Sequence, residues 1–386
     1  MDARPLLGMA AARRDARGLT PVAERSELEM QEVLQRLRDR LAERGVDEQV
    51  LASAVAEGAD GIARMVARYL MFPGARRYTP REIYAKSGVD EEIARALWRA
   101  MGFPLVPDDE PAFTDADLEA LQKACLLFDR AEMDDTIVLQ QARAMSQAVA
   151  RIAASHQDVI AEIVPQTDPA AAAARALSLA DETLPVLDHL LVYMYRRHLA
   201  AATEQRMLVS PTPEGGVEMS VGFADMTGFT RLSQELDVRE LAQLVDRFNA
   251  ATADAISSAG GRVVKTIGDE IMFSTLAPAI GAAIAVALLQ DVSEVAGIPP
   301  LRIGVASGLV IAREGDIFGA PVNLASRLVS LARPGSALID EATHGALKDQ
   351  PGFRFSSLGR QQLKGFGHVR VFRVRSADDI EHSGTR

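Results

Sequence analysis

Two patterns of apolar spacing divide this chain. In the first, Met30, Val33, Leu34, Leu37 and Leu41 recur at three and four, the period of one helix face. Gly45 interrupts, and a further helix is predicted from Val50 to Leu70, ended by Phe72-Pro73-Gly74. Residues up to about Pro21 carry no sustained period and read as a flexible or docking arm. Thr79-Pro80-Arg81-Glu82 combines an N-cap, a first-turn proline and the glutamate of a capping box, so a helix starts there. Ser87-Gly88-Val89-Asp90 ends that helix and caps another through Ile93, Leu97 and Trp98. Helices are then predicted over Asp115–Phe128, Asp134–Ile163 and Ala170–Leu179, and Pro185 opens the last. In it Leu187, Leu191, Met194 and His198 step by four, three and four, a seam suited to a helix of its own domain or of a second copy. No strand signal precedes residue 200, so residues 1–208 read as all-α.

The spacing changes at Val209-Ser210-Pro211-Thr212-Pro213-Glu214-Gly215-Gly216, a linker over 209–216. Beyond it strands and helices alternate: strand Val217–Ala224, helix Ser233–Ser257, strands Arg262–Thr266 and Glu270–Ser274, helix Pro278–Val295, strand Leu301–Ser307 and helix Pro321–Leu331. Short strands near Ala337, Phe355 and Val371 follow. The βαββαβ order predicts one sheet with antiparallel neighbours and helices on one face, a ferredoxin-like α+β layer over 217–386 behind an all-α domain.

Composition narrows the function classes. The net charge of −11 argues against broad attachment to nucleic acid or an anionic membrane. The lone Cys125 excludes an internal disulfide and a multi-cysteine zinc site, which favours a reducing, cytoplasmic setting. No apolar run is long enough to span a bilayer; Ala279–Leu289 comes nearest and reads as a buried helix. Pro5–Ala12 has the look of a short secretory core, but Asp2 precedes it and Arg13, Arg14 and Asp15 follow, so no cleavage is expected. The two short helices around Gly88 resemble a helix-turn-helix. Asp90, Glu91 and Glu92 open the second, with Asp108, Asp109 and Glu110 close behind, and would repel phosphates there. A structural or regulatory helical unit is the preferred reading.

Candidate chemistry gathers in three stretches. Gly315–Leu328 runs from a glycine-marked turn into a helix on which Asn323 and Arg327, four apart, share one face while Leu324, Leu328 and Leu331 mark the inward one. Phe223-Ala224-Asp225-Met226-Thr227-Gly228-Phe229-Thr230 ends an apolar strand on a carboxylate and turns at glycine into a helix. That geometry suits a divalent cation with a polyphosphate over the helix start. Lys265-Thr266-Ile267-Gly268-Asp269-Glu270 places a second carboxylate at a hairpin tip. If the two strands are neighbours, Asp225 and Asp269 can share two Mg2+ or Mn2+ ions, which would activate a hydroxyl and stabilise a leaving pyrophosphate.

These motifs, in this order, resemble the catalytic domain of class III nucleotidyl cyclases over about Val217 to Val374. The resemblance implies metal ligation by Asp225 and Asp269 and adenine reading by Lys265 and Asp316. It further implies that Asn323 orients the ribose, Arg327 stabilises charge on the α-phosphate, and Lys364 of Gln361-Gln362-Leu363-Lys364-Gly365-Phe366 contacts the terminal phosphates. Asp316 can accept from the adenine amine but would face a carbonyl of guanine, which favours ATP over GTP. In this family each site lies between two catalytic domains, so a chain carrying both residue sets implies a homodimer that makes cyclic AMP and pyrophosphate. The alternatives are a guanylate cyclase, or a nucleotide-sensing or DNA-binding regulator without turnover. The helical half is similar in architecture to N-terminal domains of bacterial relatives that respond to acid or fatty acids, which implies a proton or fatty-acid effector. His189 and His198, on the helix entering the linker, are the titratable candidates.

Overall fold

The computed structural model describes residues 22–43, 46–66, 68, 69, 72, 74–130, 132–163, 169–207, 212 and 215–378, and its contacts divide the chain into two units, Met1–Ala200 and Ala201–Arg386. The arm expected up to Pro21 and most of the 209–216 linker lie outside the described residues.

The first unit contains α1 (Val22–Glu43), α2 (Glu48–Ala56), α3 (Ala59–Val66), α4 (Pro80–Ser87), α5 (Glu91–Ala100), α6 (Asp115–Arg130), α7 (Asp135–Ile163) and α8 (Pro169–Ser178), and α9 (Leu184–Met207) crosses into the second. Leu37, Leu41, Leu51, Ile62, Met65 and Leu177 close one core, and Ile83, Tyr84, Ala94 and Phe113 another. The helix expected over Val50–Leu70 is broken into α2 and α3, because Gly58 adopts a left-handed turn between them at φ +79°. The Thr79–Glu82 capping box and the Asp90 cap both form. Arg95, on the presumed recognition helix, is bound to Glu91 at 2.9 Å and to Asp108 at 2.5 Å.

Pro185 does not open a helix after a break. A π turn over Leu179–Thr183 carries α8 into α9, and the Leu184 N–H reaches the Leu179 carbonyl. The wider turn accommodates a residue that has no N–H to give. Along α9, Leu187 and Leu191 are half-buried while His189, Met194 and His198 are exposed. No helix among the described residues is long and apolar enough to cross a membrane.

The second unit runs β1 (Val217–Met226), α10 (Phe229–Glu235), α11 (Val238–Ser258), β2 (Arg262–Ile267), β3 (Glu270–Thr275), α12 (Pro278–Asp291), β4 (Leu301–Arg313), β5 (Asp316–Phe318), α13 (Ala320–Leu331), β6 (Ser336–Asp340), α14 (Glu341–Leu347), β7 (Phe353–Leu363) and β8 (Gly367–Ser376). The sheet order is β2-β3-β1-β4-β6-β8-β7, with β5 hairpinned onto β4. Its first four strands have the ferredoxin-like order, antiparallel throughout, and β4 pairs in parallel with β6. The helix expected over Ser233–Ser257 is divided, because Asp237 and Glu240 form a capping box that starts α11 anew.

Side-chain alternation sorts the faces. Ala224, Met226, Ile303 and Val305 meet Leu244, Phe248 and Ile284 of α11 and α12, so the two helices of the βαββαβ unit share one face. Val221, Phe223, Ala306 and Leu338 pack with Ala325, Leu328 and Val329 of α13 on the other. The expected one-sided layer therefore holds for the ferredoxin-like unit, and α13, outside it, covers the opposite face. Gly304 makes that approach possible, since a methyl group there would lie 2.3 Å from the Ala325 carbonyl oxygen.

Candidate active site

Asp225 is the penultimate residue of β1, directly opposite Glu270 of β3 and Arg302 of β4 in the strand register. The β2–β3 turn, made possible by Gly268 at φ +64°, brings Asp269 to the same sheet end. The Met226 N–H donates to the Asp269 carbonyl at 3.1 Å, tying that turn to β1. The Thr227 N–H donates to the Pro300 carbonyl at 3.0 Å, fixing the chain beyond Asp225 before α10 begins. The stretches carrying Asp225 and Asp269 thus form one acidic site on the face that carries α13.

Burial and then the neighbouring Asp269 push the Asp225 carboxyl up to about 6, with Arg302 opposing. Burial, Asp225 and Asp269 likewise raise Glu270. Like charges held together in a partly desolvated place favour a proton or a cation between them. This donor set of hard oxygens fits a divalent cation such as Mg2+ or Mn2+. Among the described residues no three His, Cys, Asp or Glu side chains form a closed metal cage. Asp225 and Asp269 would leave much of a cation's coordination shell to water and phosphate oxygens, as Mg2+ prefers.

Lys265 lies on the same face, opposite Met272 of β3, and its ammonium group is hydrogen-bonded to the Asp316 carboxylate. Burial alone would raise Asp316, but hydrogen bonds from Lys265 and from the Ile317 N–H, the latter at 2.8 Å, hold it below the usual carboxylate range. Asp316 starts β5 rather than sitting in an open turn, because Gly315 at φ +80° reverses the chain onto β4.

Asn323 and Arg327 both stand exposed on α13, whose Pro321, Ala325, Leu328 and Val329 are buried. Among the described residues neither side chain has a hydrogen-bond or ion-pair partner. Lys364 is exposed at the tip of the β7–β8 hairpin, with Leu363 and Phe366 beside it packed into the α13-side core. One chain therefore unites Asp225 with Asp269 and Lys265 with Asp316. It leaves Asn323, Arg327 and Lys364 exposed, with no hydrogen bond or ion pair from their side chains among the described residues.

Two residues that motif reading passed over belong to this site. Glu270 sits beside the acidic pair. Arg302 faces Asp225 with its Nε buried and unpartnered among the described residues. The signal for Arg302 was a single charge amid Leu301, Ile303 and Val305, in a strand covered on both faces.

Comparison with known proteins finds relatives of both units. Residues 213–376 match the adenylate and guanylate cyclase catalytic domain, and residues 30–202 match the adenylate cyclase regulatory domain. An adenylate cyclase of Glutamicibacter nicotianae is 34% identical over 79% of this chain and 80% of its own. A pH-sensitive adenylate cyclase of Mycobacterium tuberculosis is 32% identical over 83% of each chain. Among solved structures, the adenylyl cyclase CyaB of P. aeruginosa is 27% identical over 41% of this chain and 93% of its own, with a TM-score of 0.35.

Proposed function

This chain belongs to the adenylate cyclase family, and on that footing we propose that it converts ATP to 3′,5′-cyclic AMP and pyrophosphate as a homodimer. The reaction is an in-line attack of the ribose 3′-hydroxyl on the α-phosphate. The observation that carries the reading is the Asp225–Asp269 pair, two carboxylates brought to one end of the sheet, where burial and then Asp269 push Asp225 up to about 6. When bound there, Mg2+ or Mn2+ would make the 3′-hydroxyl more acidic and offset charge on the departing pyrophosphate. Arg327 supplies a planar fork for oxygens of the α-phosphate as charge develops, Asn323 orients the ribose, and Lys364 meets the terminal phosphates.

Lys265 and Asp316 read the base. The hydrogen bond between them sets donor and acceptor side by side, so reading adenine needs little rearrangement of either. Purified protein with Mn2+ and ATP is expected to form cyclic AMP, with GTP much the poorer substrate. Asp316→Ala should lower kcat/KM for ATP about 10- to 100-fold, the loss of one hydrogen bond worth roughly 1–3 kcal/mol, and for GTP by less. A folded protein that makes no cyclic AMP would reject the enzyme reading, and an unchanged ATP-to-GTP ratio would reject the role of Asp316.

The helical unit is proposed to restrain closure of the catalytic dimer, with a proton or a fatty acid as the class of effector. The match of residues 30–202 to a regulatory domain supports this. The isolated 209–386 fragment is expected to differ from the full chain in rate and in pH profile. Identical rates and profiles would remove the regulatory assignment.

A further inference from the structure

β8 ends on two arginines, Arg373 and Arg375. Alternation puts Val371, Arg373 and Arg375 on the α13 side of the sheet, while Phe372 and Val374 face the core under α11 and α12. The register adds a third guanidinium, since Arg354 of β7 lies directly opposite Arg375. Ser336, which begins the other neighbouring strand, donates its hydroxyl to the Arg333 carbonyl at 2.7 Å, so Arg333 stands at the mouth of β6. Four arginines thus converge from three adjacent segments at one end of the sheet.

None of them has an acidic partner among the described residues. The Nε of Arg373 is buried without an acceptor. Burial, then Arg375 and Arg333, hold Arg373 below its ordinary basicity. At the strand end Arg375 also reaches the α12 side, where with Val286, Leu289, Glu294 and Gly335 it lines a cavity of about 380 Å³ without forming an ion pair to Glu294. The unpaired state is local to this end of β8, because Arg370 further up the strand bonds Glu341 at 3.2 Å.

Crowded like charges and a buried donor without an acceptor both destabilise a fold. An anion with several oxygens would remove both penalties at once. We propose that Arg333, Arg354, Arg373 and Arg375 form a second anion site, which takes the phosphate group of a small molecule and is separate from the Asp225–Asp269 site. Forked guanidinium groups from different directions suit a tetrahedral phosphate better than a planar carboxylate. An island of positive charge on a chain of net charge −11 suits a small ligand rather than a nucleic-acid track. The site shares a face with Asp225 but lies three strands away along β1-β4-β6-β8, about 14 Å at ordinary strand spacing. Lys364 is at the opposite end of the β7–β8 hairpin.

The test is calorimetric titration of the full-length protein in EDTA, with inorganic pyrophosphate, ATP and cyclic AMP in separate arms. EDTA keeps divalent cations from recruiting phosphates to the acidic pair. One pyrophosphate or ATP is expected to bind per chain, at least about 10-fold more weakly in Arg373→Gln and unchanged in Asp225→Asn, a loss of one charge-assisted contact. Binding of pyrophosphate alone identifies a free phosphate ligand, and binding of ATP with the same arginine dependence identifies a nucleotide. Thermal unfolding provides a second reading, with the exposed Arg375→Gln as a variant that leaves the core intact. Without anion its melting temperature should equal or exceed that of the parent protein, and the rise caused by pyrophosphate should disappear. No binding to the parent protein at low ionic strength, undiminished binding in Arg373→Gln, or a melting temperature of anion-free Arg375→Gln below that of the parent would each overturn the proposal.

Discussion

Asp225→Asn is expected to lower cyclic AMP formation at least about 10³-fold and at the same time to make the metal-free protein more stable at pH 7.5. The first effect corresponds to about 4 kcal/mol of transition-state stabilisation, because an amide at this position can no longer complete the acidic pair. The second follows from the electrostatics of the metal-free pair. Asp225 is raised from its ordinary value near 3.8 to about 6 by burial and by Asp269. A carboxyl whose proton is held more tightly in the folded state favours folding when protonated. The contribution of this group is therefore present below about pH 4 and lost as pH rises from about 4 to about 6. Two pH units of displacement correspond to roughly 3 kcal/mol, reduced to about 1–2 kcal/mol for a group that still meets solvent. Asn removes the charge and with it that penalty. Melting curves in EDTA at pH 4.5 and pH 7.5, beside turnover with Mn2+, give both readings. An active Asn variant, or a folded one less stable than the parent at pH 7.5, contradicts this account of the pair.

The acidic pair was legible in the sequence for a physical reason. An aspartate closing an apolar strand and another after a glycine turn have little freedom of placement once the strands are adjacent. The direct bond between Lys265 and Asp316 was not, because the β4–β5 hairpin that folds Asp316 toward β2 depends on three short pairings and a left-handed Gly315. Helix breaks inside continuous apolar patterns were also hidden. The spacing runs on through Leu236, whereas the Asp237–Glu240 capping box starts a new helix there. At Pro185 the opposite error arose, since a π turn keeps helical continuity where proline reads as a start. Periodicity shows that α13 has an apolar face but not which side of the sheet receives it. Gly304, whose missing side chain admits α13, shows its purpose only in the folded chain. The arginine cluster is likewise a product of register, for Arg354 and Arg375 are far apart in sequence and opposite each other in the sheet.

The second large effect concerns the side chains that one chain leaves idle. Among the described residues the side chains of Asn323 and Arg327 are exposed without hydrogen-bond or ion-pair partners, while Asp225 and Asp269 are joined within the same chain. If a substrate needs both sets and each chain presents them apart, two copies related by a two-fold axis complete two equivalent sites. Asp225→Ala and Arg327→Ala proteins should then each be nearly inactive, yet recover activity when mixed. In a mixed dimer one site receives both lesions and the other receives neither. Equal amounts exchanging freely give half mixed dimers, each with one intact site of two, so activity should return to about a quarter of the parent value for that closed two-fold arrangement. Native mass spectrometry establishes that mixed dimers have formed. Their presence without recovered activity would place all the catalytic groups of a site within one chain, and would require Arg327 to reach Asp225 by a rearrangement of α13 rather than by assembly.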